Sequence, residues 1–98
     1  MTTHHKVKSW PEFFTAISEG QRTHELRRND RAYKVGDTLE LNEYTLEAGV
    51  FTGRVCSVLI TSITSRQEPC AVSDEALNKE FCILSVKLIS GYSVSDSN

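Results

Sequence analysis

The sequence predicts an α+β domain in which one early helix is followed by several strands that curl into a small barrel. One amphipathic segment with helix start and stop signals occupies residues 9–20, and the later apolar segments follow strand patterns. A chain of 98 residues has room for one hydrophobic core, so we expect one domain spanning residues 1–98 with its core at about 4–89. The hydrophobic fraction of 39% and the charged fraction of 24% are typical of a globular fold.

The helix is the best-defined element of the sequence. Ser9 is predicted to be its N-cap, because Glu12 follows three residues later and completes a capping box, with Pro11 in the first turn. Gly20 is predicted to end the helix in the left-handed conformation. The apolar residues recur at intervals of three and four and predict one buried face, formed by Trp10, Phe13, Phe14 and Ile17.

Strand patterns occupy much of the remaining chain. The predicted strands are residues 4–8, 23–27, 38–44, 54–64 and 81–89. Leu39 and Leu41 alternate with polar residues, which predicts a half-buried strand. The segment 54–64 has apolar residues on both faces and is predicted to be a central, well-covered strand.

The connecting segments are polar. Residues 46–53 are predicted to form a loop or hairpin tip, and residues 65–80 a long connection with a helical turn beginning at Ser73. The small polar residues 90–98 are predicted to form a flexible tail.

Composition restricts the function classes. The net charge of −2 excludes non-specific nucleic-acid binding over the whole surface, so any such role requires a local patch. No apolar run reaches the roughly 20 residues that span a bilayer. The N-terminal residues do not form a secretory signal, so we expect a cytoplasmic protein. We also expect it to be monomeric and not associated with a membrane.

Metal-ligand spacing is absent from the sequence. Cys56 and Cys82 lie in apolar strand segments and are predicted to be reduced core thiols, whereas Cys70 is predicted to be an exposed, idle thiol in a loop. His4 and His5 point to opposite faces of a strand, and we expect a solvated pair rather than a metal site. No metal or other cofactor is expected.

The segment 20–27 and the basic residues after it form the candidate binding region. Between Arg22 and Lys34 there are five basic residues against two acidic ones. Such a local surplus of positive charge attracts phosphate groups. The alternative is a solvated turn in which the arginines pair with nearby acids.

The motif Gly20-x-Arg22-Thr23-x-Glu25-x-Arg27 resembles the G-x-K-T-x-E-x-R signature of ASCH domains, small RNA-associated β-barrels of the PUA-like superfamily. The resemblance extends over residues 4–89 and is strongest to a bacterial and phage branch of that group catalogued as a domain of unknown function. Further matching segments are residues 5–14, 27–31, 33–37, 42–44 and 52–54. The resemblance implies a small PUA-like barrel of about five to six strands with one major N-terminal helix.

The resemblance also implies a site. In ASCH domains the motif lines a cleft between the first helix and the barrel, where RNA or a nucleotide is thought to bind. The predicted ligand-binding residues, including the neighbouring basic run, are Arg22, Thr23, Glu25, Arg27, Arg28 and Arg31. We expect the surrounding arginines to lower the pKa of Glu25. In the alternative interpretation Glu25 and Arg27, on the same strand face, simply pair with each other.

Binding of RNA or a nucleotide is the first functional hypothesis, because arginine forks suit phosphate. A small hydrolase acting on a modified nucleoside or RNA is the second. Some small ASCH proteins hydrolyse an acylated cytidine with the motif lysine and a second threonine, but Arg22 and Glu25 occupy those positions here. Arginine stays protonated and is a poor substitute for a catalytic lysine. A protein-interaction module is the third hypothesis.

Overall fold

The computed structural model describes residues 2–69 and 77–94. Its elements, in chain order, are β1 (His4–Ser9), α1 (Pro11–Ser18), β2 (His24–Arg28), β3 (Thr38–Thr45), β4 (Val50–Ser65) and β5 (Phe81–Val94). The predicted α+β class with one early helix is confirmed. No helix in these described ranges is long and apolar enough to cross a membrane.

The five strands form one sheet in the order β1-β3-β4-β5-β2. β1 pairs with β3 in parallel, and all other pairs are antiparallel. β1 and β2 are the two outer strands and do not pair with each other. The sheet is therefore a curled half-barrel, and we call the gap between β1 and β2 the seam.

The start of the helix differs from the prediction. Trp10 occupies the N-cap position and its side chain makes no capping hydrogen bond. Ser9 is instead the last residue of β1, opposite Glu43 of β3. The alternation of the strand turns Ser9 inward, where it is 4% exposed. The predicted capping box is wrong because strand pairing continues one residue further than expected.

The end of the helix confirms the role of Gly20. Its φ angle is +79°, in the left-handed region. The Gly20 N–H donates to the carbonyl of Ile17 at 3.0 Å, and the Gln21 N–H donates to the carbonyl of Ala16 at 2.8 Å. This pair of hydrogen bonds is the Schellman motif, which satisfies the last carbonyls of the helix and reverses the chain toward β2.

Two strands, β4 and β5, are longer than predicted by several residues. The hairpin turn is confined to residues 46–49, and β4 begins at Val50 rather than at residue 54. β5 continues to Val94, which pairs with Arg54 of β4. Residues 90–94 of the predicted tail therefore belong to a strand, because the long partner strand offers them backbone hydrogen bonds. Residues 95–98, Ser73 and Cys70 lie outside the described residues.

The core occupies the inner face of the half-barrel, and α1 packs against it through Phe14 and Ile17. Leu39 and Leu41 are fully buried, which confirms the predicted half-buried strand. The core is formed by Val7, Phe14, Ile17, Tyr33, Leu39, Leu41, Cys56, Val58, Ile60, Cys82, Leu84 and Val86. Cys56 and Cys82 are free thiols within it, as predicted. Burial raises the pKa of Cys56 to about 11.

His5 is buried, contrary to the expected solvated pair. Its Nε2 lies 2.9 Å from Oδ2 of Asp37, and the same oxygen accepts a hydrogen bond from the backbone N–H of Lys34. The other carboxylate oxygen, Oδ1, accepts one from the backbone N–H of Thr3. The pKa of Asp37 is lowered, mainly by the hydrogen bond with His5 and next by the one from Thr3. This buried pair fixes the start of β1 against the turn that leads into β3.

Candidate functional site at the strand seam

A cleft of about 950 Å³ follows the seam between β1 and β2, next to the first turn of α1. The cationic residues that line it are Lys6, Lys8, Arg22, Arg27, Arg28 and Arg31. The acidic residues are Glu25 and Glu40. The aromatic residues are Trp10, Phe13 and Phe51. In a chain of net charge −2, this places a local excess of positive charge beside exposed aromatic rings.

The fold brings most of the sequence-predicted site residues into this cleft, but it leaves out Thr23. The cleft contains five of the six, namely Arg22, Glu25, Arg27, Arg28 and Arg31. The Thr23 carbonyl accepts a hydrogen bond from the backbone N–H of Val86 at 2.9 Å. Thr23 therefore extends the pairing between β2 and β5.

Two of the arginines connect the strands across the seam. Arg27 Nη2 donates to the carbonyl of Lys8 at 2.6 Å. Arg31 Nη1 donates to the carbonyl of Lys6 at 3.3 Å. Carbonyls two residues apart on an outer strand point to the same side. Both arginines therefore satisfy carbonyl groups on the edge of β1 that has no neighbouring strand. Their guanidinium groups are thus partly occupied by the fold itself.

Arg28 is engaged differently. Its Nη1 lies 3.3 Å from Oε1 of Glu80, and both side chains are more than half exposed. The guanidinium also lies 5.2 Å from the centre of the Phe81 ring. An exposed ion pair of this kind is weak and exchanges readily for a ligand phosphate.

Arg22 has the most available hydrogen-bond donors of the predicted arginines. Its guanidinium stacks on Phe13, with 4.5 Å between the guanidinium carbon and the ring centre. It donates no hydrogen bond to another residue in the described part of the chain, and its Nε is buried without a partner there. Stacking fixes the plane of the guanidinium and leaves its Nη donors available to a ligand.

Sequence reasoning missed two cations of the cleft, Lys6 and Lys8. Both are exposed, and Nζ of Lys8 lies 4.3 Å above the ring of Tyr44. The alternation of β1 places the two lysines on one outward face. Their place in the same cleft as Arg22 depends on the tertiary position of β2 across the seam.

Glu25 is the buried acid of the cleft, and the expectation for its pKa is wrong. The residue is only 6% exposed. Burial raises the pKa of Glu25, although Arg27 and Arg22 act in the opposite direction. The closest cationic nitrogen, Nη2 of Arg27, lies 3.5 Å from Oε2, at the outer limit of a hydrogen bond. The desolvation cost therefore exceeds the stabilisation by the arginines. The Glu25–Arg27 pairing of the alternative interpretation is present, but it is long.

The exposed aromatic rings form a group at the mouth of the cleft. The ring centres of Trp10 and Tyr44 are 6.1 Å apart, and those of Tyr44 and Phe51 are 4.9 Å apart. Trp10 is 38% exposed and Phe51 is 55% exposed. Large apolar rings left in water beside cations are typical of surfaces that stack nucleobases.

A bulge between β3 and β4 holds this aromatic group in place. The strand register shifts between Asn42 and Tyr44. At the shift, the buried carboxylate of Glu43 accepts a 2.7 Å hydrogen bond from Oγ1 of Thr52 and lies 3.4 Å from Nη1 of Arg54. These contacts anchor the segment that presents Phe51.

Comparison with known proteins agrees with this architecture. Residues 4–86 match the family described as domain of unknown function DUF3850. The chain belongs to this family. A relative from Escherichia phage P2, an uncharacterized 12.9 kDa protein in the GpA 3′ region, is 43% identical over 60 residues. That alignment covers 61% of this chain and 53% of the phage protein, so the matched part spans about half of the relative.

Solved structures place this DUF3850 domain among ASCH folds. The ASCH protein from Zymomonas mobilis matches with a TM-score of 0.56, covering 86% of this chain and 66% of that protein at 15% identity. Its serine-to-alanine variant gives a TM-score of 0.57 at the same identity, with coverage of 86% and 67%. At this identity the likeness establishes the fold, a small α+β ASCH/PUA-like half-barrel.

Proposed function

We propose that this DUF3850 domain binds RNA, or a nucleotide of RNA, in the cleft at the seam. The observation that supports the proposal is the position of Lys6, Lys8 and Arg22 beside Trp10 and Phe51. Cations that follow the phosphates and aromatic rings that stack the bases are the two components of single-strand recognition. The ASCH/PUA-like fold, which is generally RNA-related, supports RNA over other polyanions.

The side-chain contacts distinguish cations that already donate hydrogen bonds within the protein from cations that are available to a ligand. Arg27 and Arg31 already donate to backbone carbonyls of β1. Arg22, Lys6 and Lys8 make no hydrogen bond through their side chains to other residues in ranges 2–69 and 77–94. We therefore assign the principal phosphate contacts to these three residues and a secondary role to Arg28.

The salt dependence of RNA binding tests the proposal. Binding of a labelled single-stranded RNA is measured by fluorescence anisotropy at several salt concentrations. Each phosphate contact contributes a slope of about −0.7 in a plot of log K against log salt. The double variant Lys8→Gln/Arg22→Gln should bind more weakly, with a slope flatter by roughly 1.4 if each residue contacts one phosphate.

A matched control separates the cleft from the total charge. Lys34 and Lys87 are exposed and lie outside the cleft lining, so Lys34→Gln/Lys87→Gln removes the same charge elsewhere. This control should keep the slope of the unmodified protein. Equal slopes for the two double variants would assign binding to overall charge and reject the cleft. Absence of RNA binding by the unmodified protein would reject the proposed function itself.

A further inference from the structure

Building on the proposed function, we propose that Glu25 makes the cleft selective for guanine. The carboxylate accepts the two N–H groups of the guanine Watson–Crick edge, and Arg22 donates to O6. Glu25 and Arg22 thereby distinguish one base, whereas the cations and aromatic rings described above bind any nucleotide.

Glu25 has unused acceptor capacity. A carboxylate has two oxygens with about four acceptor positions. Within the described residues its only hydrogen-bond partner is Nη2 of Arg27, at 3.5 Å from Oε2. A side chain that is 93% buried ordinarily has its acceptors satisfied. A ligand in the cleft that offers two N–H donors would satisfy them.

Among the standard bases, guanine alone presents two adjacent N–H donors that match an ionised carboxylate. Its N1–H and N2–H point in the same direction, as the two donors of an arginine fork do. Adenine and cytosine each present one amino group beside an acceptor nitrogen, which repels a carboxylate oxygen. Uracil presents a single N–H between two acceptors. The ionised Glu25 therefore favours guanine over the other three.

Arg22 completes the complementarity. Arg22 and Glu25 line the same cleft, and the guanidinium acts electrostatically on the carboxylate. Stacking on Phe13 holds the guanidinium, and no described residue takes its donors. Guanine O6 is an acceptor adjacent to N1–H, and arginine is its usual partner. An acceptor at Glu25 and a donor at Arg22 thus reproduce the order of groups that guanine requires.

The test is a comparison of nucleotide affinities that changes the base and keeps the phosphate. GMP, AMP, CMP, UMP and IMP are titrated while the fluorescence of Trp10, the single tryptophan of the chain, is recorded. GMP should bind roughly 5- to 150-fold more tightly than AMP, CMP or UMP, the range for one bidentate base contact. IMP lacks the 2-amino group and should fall between GMP and the others.

Two variants test the assignment to Glu25. Glu25→Gln retains the shape but opposes one guanine donor with its own amide N–H₂, so the guanine preference should disappear while weak binding of all nucleotides remains. Glu12→Gln removes the same charge on α1, outside the cleft lining, and should retain the preference. A guanine preference that survives in Glu25→Gln would overturn the proposal.

Modified nucleotides test the same contacts on the unmodified protein, so the result does not depend on the folding of a protein variant. GMP methylated at N1 lacks one donor, and its affinity for the unmodified protein should fall to that of AMP. Equal binding of all five nucleotides would reject guanine selectivity and leave RNA binding in the cleft intact. Absence of both nucleotide and RNA binding would reject the two proposals together.

Discussion

Nη2 of Arg27 lies 2.6 Å from the backbone carbonyl of Lys8, and this hydrogen bond joins the two outer strands of the sheet across a seam where their backbones do not pair. The same nitrogen lies 3.5 Å from Glu25. Arg27 therefore connects the half-barrel's free edge to the buried acid of the cleft.

The first prediction concerns stability. Arg27→Leu should lower the free energy of unfolding by about 1 to 3 kcal/mol, because a hydrogen bond from a charged group is lost and Glu25 remains buried without it. Arg28→Leu is the matched control and should change stability by less than about 0.5 kcal/mol, since its ion pair with Glu80 is exposed. Urea denaturation measures both. Equal losses would show that Arg27 does not hold the seam.

The second prediction concerns base stacking. Phe51→Ala should weaken binding of single-stranded RNA by about 1 to 3 kcal/mol, the usual value of one aromatic stacking contact. Leu46 lies in the hairpin turn before it, is 65% exposed and does not line the cleft. Leu46→Ala should leave affinity unchanged in the same anisotropy assay. A similar loss in both variants would indicate a general effect on the hairpin.

The third prediction concerns pH and rests on guanine recognition. Only the ionised carboxylate of Glu25 accepts two N–H groups, and burial raises its pKa above the ordinary value of 4.5. GMP affinity should therefore be greatest well above that pKa and be lost as pH falls through it. Arg27, Arg22 and His24 act electrostatically on Glu25 in the opposite direction to burial.

A titration of GMP affinity against pH, by tryptophan fluorescence, checks this sign. Repeating the titration with His24→Gln removes the neighbouring imidazole, and the loss at low pH should persist. GMP binding that strengthens on acidification would mean that the protonated carboxyl is the recognising form.

The fourth prediction concerns the buried pair of His5 and Asp37. Asp37→Asn should destabilise the fold by about 1 to 3 kcal/mol at neutral pH, because the carboxylate accepts three hydrogen bonds. The pKa of Asp37 is lowered in the fold from its ordinary value of 3.8. Its contribution is thus complete above pH 3.8 and is lost as pH falls through the lowered pKa.

Unfolding by urea at a series of pH values measures that contribution. The difference between the unmodified protein and Asp37→Asn should shrink at acidic pH. Asp30→Asn, at an exposed carboxylate, should show a small difference at every pH. A difference for Asp37→Asn that does not change with pH would contradict the assignment.

The sequence by itself determined the features that depend on neighbouring residues. Gly20 ends α1 because a left-handed residue is a local backbone requirement, and Leu39 and Leu41 reveal a half-buried strand through their alternation. The burial of Cys56 and Cys82 as free thiols was predicted from the apolar segments around them. The motif from Gly20 to Arg27 and the basic residues after it indicated the ASCH fold and five of the residues that line the cleft.

Only the tertiary structure decided what those residues do there. Arg27 and Arg31 face the free edge of β1, and Lys6 and Lys8 line the cleft, because the strand order leaves β1 and β2 on opposite sides of one seam. Sequence distance contains no information about that closure. The pKa of Glu25 is raised rather than lowered, and the reason is similar. The nearby arginines are visible in the sequence, but the loss of water on burial is a property of the folded half-barrel.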